Sequence, residues 1–163
     1  PAFRKDGQVT AGNASGINDG AASVILMTAQ VAKRRGLNPM AKVIAYGHAG
    51  VAPELMGIGP VPAMKIAMTK AGLNTADLDV VESNEAFAAQ ACAVTQQLGL
   101  NPDVVNPNGG AVALGHPVGA SGAIITTKLV YEIQRKGGRF GAATMCIGGG
   151  QGIALILENP SSG

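Results

Sequence analysis

Residues 109–122 read GGAVALGHPVGASG, and this stretch decides how the chain is organised. It sets His116 among glycines, with Pro117 directly after the histidine. Glycine has no Cβ atom, so a substrate can approach the backbone closely and free N–H groups can bind an anion. Functional side chains concentrate on loops that a scaffold holds in place. The stretch therefore predicts a strand-to-helix turn with a functional histidine, whereas His48 is interpreted as a surface or loop residue.

Cys146 is the second candidate, because it ends a short apolar run and stands directly before the glycines at 148–150. Free cysteine is usually a small buried hydrophobe. Here, however, the thiol could reach a cleft, where a nearby imidazole would lower its pKa. Cys92 lies among alanines in a predicted helix and is interpreted as a core residue. Two cysteines make no disulfide framework, which favours a reducing compartment.

The composition argues against several classes of protein. Apolar residues make up 47% of the chain, enough for a core, but charged residues only 13%, about half of the usual share of roughly 25%. A surface so poor in charge predicts that a partner covers much of it. A net charge of +2 and 3% aromatic residues argue against nucleic acid binding. No apolar run reaches the roughly 20 residues of a membrane span.

The motifs of the commonest cofactor and metal sites are missing from the sequence. Neither a GxxxxGK[ST] loop nor a GxGxxG loop in a dinucleotide-binding context is present. The two histidines and two cysteines lie far apart, without the spacing of a metal site. We therefore expect no metal and no cofactor.

Alternating apolar segments predict an α/β sheet covered by helices on both faces. We expect strands at 21–27, 42–46, 78–82, 104–106, 140–146 and 152–157, the last two as a hairpin across the glycine turn. We expect helices at 28–35, 62–71, 85–98 and 121–136. Asn84 is a plausible N-cap of the third helix. In the last helix, Ile125, Leu129 and Ile133 recur at helical spacing and predict one buried face.

Several motifs, in order along the chain, resemble those of the thiolase family. The three most specific are NEAF at 84–87, GHP at 115–117 and CIGGG at 146–150, and further segments stand at 12–16, 18–22 and 56–60. The resemblance reaches to about Glu158. It implies a thiolase-like βαβαβαββ half with a mixed five-stranded sheet covered by helices. It also implies a division into the end of the loop domain (1–18), the last strand and helix of the N-terminal half (19–40), the C-terminal domain (41–158) and a tail (159–163).

Thiolases are acyl-CoA C-acyltransferases of fatty acid metabolism, and they make or cleave a 3-oxoacyl-CoA by Claisen chemistry. The resemblance implies this activity for the whole protein, with coenzyme A thioesters as substrates. The family's nucleophilic cysteine belongs to the other half and has no counterpart here, and Ile124 replaces the family's arginine. Because that cysteine is absent, we expect this chain to be inactive until the N-terminal half completes it. The replacement by Ile124 does not predict a loss of activity, since that position faces along a helix. The family's dimers or tetramers imply a homo-oligomer. The expected compartment is the cytoplasm, with mitochondrion and peroxisome left open.

The resemblance also implies a role for each motif residue. His116 would activate the missing nucleophile and donate to the thioester oxyanion, and Cys146 would move the α-proton. Asn84 would hold a water at the enolate oxygen, although an N-cap explains the same residue without a site. Gly148 would supply a backbone N–H to a second oxyanion hole. The residues expected along coenzyme A and the acyl group are Ser15, Phe3, Ala11, Met56 and Phe87.

Two other functions are left open by the sequence. The chain could be an acyl-CoA-binding or assembly subunit, without catalysis of its own, that a separate chain completes. It could also be a Cys/His hydrolase with Cys146 as nucleophile. A cysteine in a preceding or partner polypeptide favours a thiolase, whereas a stable acyl-enzyme on Cys146 favours a hydrolase.

Overall fold

Four apolar segments pair into one mixed sheet in the computed structural model, which describes residues 1–162. The strand order is β1-β4-β3-β2. The strands are β1 (Lys42–Gly50), β2 (Val80–Ser83), β3 (Phe140–Ile147) and β4 (Gln151–Glu158). Strand β4 runs antiparallel to β1 and β3, and the β3–β4 pair is the predicted hairpin. Strand β2 runs parallel to β3, so a long crossover joins them.

One helix precedes β1 and the others lie between the strands, and the longer helices end where the glycines predict. They are α1 (Ala29–Arg34), α2 (Pro60–Ala71), α3 (Ala88–Leu98), α4 (Ala111–Leu114) and α5 (Ser121–Lys136), with 3₁₀ turns at Pro53–Ile58, Thr75–Asp77 and Pro102–Val104. Gly72, Gly99 and Gly137 follow α2, α3 and α5 in the left-handed conformation that stops a helix. Within residues 1–162, no helix is both long enough and apolar enough to cross a bilayer.

Both faces of the sheet are covered, as the alternation predicts. Helices α2 and α3 pack on one face, where Met64 and Val94 are fully buried. Helix α5 packs on the other face through Ile125, Leu129 and Ile133, and all three are buried. The helical spacing of these three residues is therefore confirmed as a core-facing stripe.

Two predicted strands do not join the sheet. Segment 21–27 is irregular and exposed, because no strand among residues 1–162 lies beside it to pair with its backbone. The backbone of residues 104–106 pairs with β2 at a single bridge, between Val81 and Val105. The chain turns away there, since Asn106 has a φ of 47°. The sheet thus has four strands instead of the expected five.

Two expectations about single residues were wrong. Cys92 is exposed, not a core residue, because α3 turns Val94 and Leu98 toward the sheet instead. Asn84 is not an N-cap, since α3 begins at Ala88 with Phe87 in the cap position. Its side chain faces the loop of His116. His48 is exposed on β1 and stacks on Tyr46, as expected of a surface residue.

The exposed apolar side chains of segment 17–27 predict self-association of the isolated chain. Ile17 is 97% exposed, Ile25 87% and Leu26 77%, a patch that a folded chain rarely leaves in water. We expect a mass that rises with concentration in light scattering, and binding of a dye that fluoresces on apolar surfaces. Replacing Ile25 and Leu26 by serine should reduce both signals, whereas Tyr131→Ser on α5 should not. A monomer at every concentration without dye binding would contradict this.

Candidate active site

The candidate catalytic residues gather at the sheet edge where β2 and β3 end. Because these strands are parallel, Asn84 after β2 and Cys146 on β3 lie at the same edge. The backbone N–H of Asn84 donates to the carbonyl oxygen of Thr144 at 2.9 Å, so the pairing continues beyond β2. The turn at 148–150 between β3 and β4 lies at this edge as well. Strand register thus joins two motifs that are separate in the sequence.

The imidazole of His116 contacts Asn84 and Ser121. Its Nδ1 lies 2.6 Å from the Oγ atom of Ser121, and its Nε2 lies 3.3 Å from the Nδ2 atom of Asn84. The Ser121 hydroxyl donates its one proton to the carbonyl oxygen of Pro117 at 2.9 Å, so it accepts from Nδ1–H. The Asn84 amide then donates to Nε2. Both contacts agree on the Nδ1–H tautomer, which leaves Nε2 able to take a proton.

Burial shifts the pKa values of both candidate proton carriers. It lowers the pKa of His116, so the ring is neutral at pH 7. Burial also raises the pKa of the Cys146 thiol. A hydrogen bond from the backbone of Cys146 lowers this pKa, but by less than burial raises it. The expectation that an imidazole lowers the pKa of this thiol was wrong, since the His116 nitrogens contact Asn84 and Ser121 instead. The site therefore combines a neutral base with a protonated thiol.

The amino-terminal segment fixes the backbone of His116. The His116 N–H donates to the Oδ1 atom of Asn18 at 3.0 Å, and Ile17 forms a β-bridge with His116. Gly115 has a φ of 103°, and a Cβ atom on it would lie 2.6 Å from the same Oδ1 atom. Only glycine fits there. Asn18 was missed as a site residue, although its motif at 18–22 was recognised.

Two glutamates at the end of β2 hold the loop that carries His116. Glu82, which is 1% exposed, accepts from the Lys128 ammonium at 2.7 Å. The same ammonium donates to the carbonyl oxygen of Gly109 at 2.7 Å. Glu85 accepts from the Val112 backbone N–H at 3.3 Å, at the start of α4. These hydrogen bonds pair backbone groups of the glycine-rich loop, which has few side chains of its own to bury.

Glu132 holds the same loop from helix α5. It is 3% exposed and accepts from the Asn108 side chain at 2.8 Å. It also forms a bidentate ion pair with Arg135, whose Nη2 and Nε atoms donate to the two carboxylate oxygens at 2.6 and 2.8 Å. Hydrogen bonding by Arg135, followed by that of Asn108, lowers the pKa of Glu132 to about 2. This carboxylate therefore stays charged through the physiological range.

The glycine turn after Cys146 leaves a backbone open to a ligand. Gly149 and Gly150 have φ values of 86° and 91°, and the Gly150 carbonyl accepts from the Val51 N–H at 2.7 Å. Gly148 is exposed, and a Cβ atom built on it meets no atom within 4 Å. A substrate could thus reach the backbone of Gly148, the residue expected to supply an N–H group.

Three of the five expected coenzyme A and acyl contacts lie together. The backbone N–H and the hydroxyl of Ser15 both donate to the Ala86 carbonyl oxygen at 3.0 Å. The rings of Phe3 and Phe87 meet edge to face, with centroids 5.9 Å apart. Ala11 is exposed on the amino-terminal segment, and Met56 is half-buried in the first 3₁₀ turn. Along residues 1–162, no three His, Cys, Asp or Glu side chains are grouped as metal ligands would be.

Comparisons with protein-family models agree with this fold. The model described as "Thiolase, C-terminal domain" matches residues 37–159, and "Thiolase, N-terminal domain" matches residues 1–30. The chain belongs to the thiolase family. The expected fold class is thereby confirmed, whereas the division at residue 41 stays a prediction.

The chain is most informatively compared with two bacterial relatives. It is 63% identical over 159 residues to the beta-ketothiolase BktB of Cupriavidus necator, covering 97% of this chain and 40% of that protein. It is 58% identical over 160 residues to the acetyl-CoA acetyltransferase of Paracoccus denitrificans, covering 98% of this chain and 41% of that protein. The chain thus spans about 40% of the length of these relatives.

Solved structures of thiolases superpose closely on this chain. The Bacillus anthracis acetyl-CoA acetyltransferase gives a TM-score of 0.95 at 52% identity, covering 97% of this chain and 40% of the other. Human mitochondrial 3-ketoacyl-CoA thiolase in complex with CoA gives 0.92 at 48% identity, covering 99% and 41%. The four-stranded fold described above therefore matches a part of these thiolase structures, about 40% of each chain.

The low pKa of Glu132 predicts a loss of stability in acid. Its folded-state pKa is about 2, against an ordinary value of 4.5. Its stabilising contribution is therefore complete above pH 4.5 and is lost as the pH falls toward 2. Between these values, we expect the free energy of unfolding in urea to fall more steeply for the natural sequence than for Glu132→Gln. Glu54→Gln, at an exposed site, should keep the natural slope. Parallel curves for Glu132→Gln and the natural sequence would contradict the prediction.

The contact with Ser121 predicts which tautomer His116 adopts. Ser121→Ala removes the acceptor of Nδ1–H, so the ring should populate the other tautomer, whereas Ser121→Thr should restore the natural state. The ¹⁵N chemical shifts of the His116 ring nitrogens measure this directly. Thr126→Val is the matched control, because the Thr126 hydroxyl also bonds a carbonyl four residues back, that of Gly122 at 2.7 Å. Unchanged ¹⁵N chemical shifts of His116 in Ser121→Ala would contradict the assignment of the tautomer to the contact with Ser121.

Proposed function

We propose that this chain is the carboxy-terminal part of an enzyme that transfers acyl groups between coenzyme A thioesters. The reaction is Claisen condensation or its reverse, thiolysis of a 3-oxoacyl-CoA. The observation that carries the proposal is the meeting of His116, Asn84 and Cys146 at one sheet edge, with His116 neutral and Cys146 protonated. The names of the relatives, beta-ketothiolase and acetyl-CoA acetyltransferase, support it.

The first half-reaction loads an acyl group onto a cysteine of the amino-terminal half. The Nε2 atom of His116 takes the proton of that thiol, and the sulfur attacks the carbonyl carbon of an acyl-CoA. The bond between this carbon and the coenzyme A sulfur breaks, and Cys146 gives its proton to the leaving thiolate. The unprotonated Nε2 atom suits the first proton transfer, and the protonated, buried Cys146 thiol suits the second.

The second half-reaction forms the carbon–carbon bond. The Cys146 thiolate takes an α-proton from acetyl-CoA, and its raised pKa makes it a stronger base. Protonated His116 and a water held by Asn84 stabilise the enolate oxygen. The enolate carbon attacks the acyl-enzyme carbonyl, whose oxyanion is stabilised by the N–H of Gly148. The carbon–sulfur bond then breaks, and His116 returns its proton to the departing cysteine.

Binding and assembly follow from the same proposal. Coenzyme A is expected along Ser15, Phe3 and Ala11, with Phe87 and Met56 at the acyl end. The chemistry needs no cofactor, because the coenzyme A thioester is a substrate, and the N-terminal half supplies the nucleophile. We further propose a homodimer or homotetramer, supported by the exposed apolar side chains. The two free cysteines support a reducing compartment such as the cytoplasm.

The proposal is tested in a completed protein, defined as this chain joined to the preceding part of the 63%-identical relative. We expect it to convert acetoacetyl-CoA and coenzyme A into two molecules of acetyl-CoA. Chromatography of the reaction mixture measures the acetyl-CoA formed. Cys146→Ala and His116→Ala should each lower kcat by about 100-fold or more. His48→Ala, an exposed histidine on β1, is the matched control and should keep full activity.

The alternatives give different outcomes in the same assay. Binding of acetoacetyl-CoA without any turnover would support the non-catalytic subunit. An acyl-enzyme trapped on Cys146 would support the hydrolase, although the raised pKa of this thiol argues against a nucleophile there. Full activity in Cys146→Ala would overturn the assignment of its proton-transfer role.

A further inference from the structure

We infer that Asn106 is a positioning residue for the proposed reaction: its side chain bonds the Ser83 backbone and the Glu85 carboxylate, on either side of Asn84, and so aims Asn84 at His116. The inference rests on the proposed function and adds a residue to that site. Asn106 is, among residues 1–162, the one non-glycine residue with positive φ, at 47°. Such a conformation next to a site is a constraint that the surrounding contacts must maintain.

The Asn106 side chain extends the sheet by one rung after its backbone has left. The Asn106 N–H donates to the Val81 carbonyl oxygen at 2.8 Å, beside the parallel bridge of Val105. In a regular parallel pair, the Ser83 N–H would next bond the Asn106 backbone carbonyl. Instead, it donates to the side-chain Oδ1 atom at 2.9 Å, and Nδ2 donates to the Ser83 carbonyl oxygen at 2.8 Å. The amide thus takes the place of a peptide group.

The same amide reaches the residue on the other side of Asn84. Its Nδ2 atom donates to the Oε1 atom of Glu85 at 3.2 Å, while Oε2 accepts from Val112. Ser83 and Glu85 are therefore both held by one side chain. Asn84 lies between them, 2% exposed, with its amide 3.3 Å from the His116 Nε2 atom. Releasing either neighbour would let Asn84 rotate and would lengthen this contact.

Among the residues that tolerate positive φ, only asparagine can make this set of contacts. Glycine, asparagine and aspartate adopt the left-handed region most readily. Aspartate has no donor for the Ser83 carbonyl and would set a second carboxylate beside Glu85. Glycine keeps the backbone but has no side chain. Asn106→Gly therefore removes all of these contacts, and Asn106→Asp removes the two that Nδ2 donates, while both variants leave the turn unstrained.

The kinetic test is a double-mutant cycle in the completed protein. We expect Asn106→Gly to lower kcat by about 10- to 100-fold, with KM changed by less than about twofold, because misplacing a reacting group costs this much. Since Asn106 acts through Asn84, the double variant of Asn84→Ala and Asn106→Gly should match Asn84→Ala within about twofold. Effects that multiply, or an Asn106→Gly variant with natural kcat, would overturn the inference.

A second readout needs no turnover. The Asn84 amide donates to the neutral form of His116, so losing this bond should raise the midpoint of the His116 titration, followed by ¹⁵N shifts. Asn106→Gly and Asn84→Ala should raise it alike. Asn101→Gly, which removes the contact of Asn101 with the Asp103 N–H at 3.0 Å, should not. If the glycine variant fails to fold, Asn106→Asp is followed by kcat instead, because its added negative charge would itself raise the His116 midpoint.

The two readouts separate the inference from the proposed function. If the completed natural sequence does not turn over acetoacetyl-CoA, the proposed function fails. A His116 midpoint raised by both Asn106→Gly and Asn84→Ala then still supports the placement of Asn84 by Asn106. A midpoint raised by Asn84→Ala and unchanged by Asn106→Gly overturns the inference, whatever the activity.

Discussion

Buried carboxylates hold the glycine-rich loop of His116, and the candidate site depends on them. A loop with so few side chains buries little apolar surface, so it cannot be held by packing alone. Glu82 and Glu132 are almost fully buried, which is costly for a carboxylate unless cations and donors surround it. Lys128 and Arg135 supply the charge. Lys128 and Glu132 both lie on α5, so the helix that follows the loop also holds it in place.

The mixed sheet explains why the candidate residues meet at one edge. Parallel pairing places the ends of β2 and β3 side by side, and antiparallel pairing places the β3–β4 turn there too. This edge therefore brings together three residues of the sheet and its connections: Asn84 directly after β2, Cys146 in β3 and Gly148 in the β3–β4 turn. His116 comes from outside the sheet and is held against it by Asn84, Ser121 and Asn18.

Local patterns in the sequence predicted the elements whose formation is local. The stripe of Ile125, Leu129 and Ile133 predicted the buried face of α5, and the glycine turn predicted the β3–β4 hairpin. The strand expected at 21–27 failed because apolar character does not provide a neighbouring strand. Asn84 was predicted as a helix cap because asparagine is favoured there and a helical segment follows. Helix α3 instead begins at Ala88, and the Glu85 side chain contacts Val112 and Asn106. Ser121, Asn18 and Asn106 were missed, since their partners are set by tertiary contacts that no spacing reveals.

The bridges between distant segments also determine when this site can form during folding. Ser15 contacts Ala86 across 71 positions of the chain, and Asn18 contacts His116 across 98. Contacts of such separation form slowly, because long loops must close before they contribute any stability. No short segment of the chain contains a working part of the site. The geometry around His116 is therefore completed late, when the sheet and the amino-terminal segment have come together, and its appearance reports that the chain has reached its native topology.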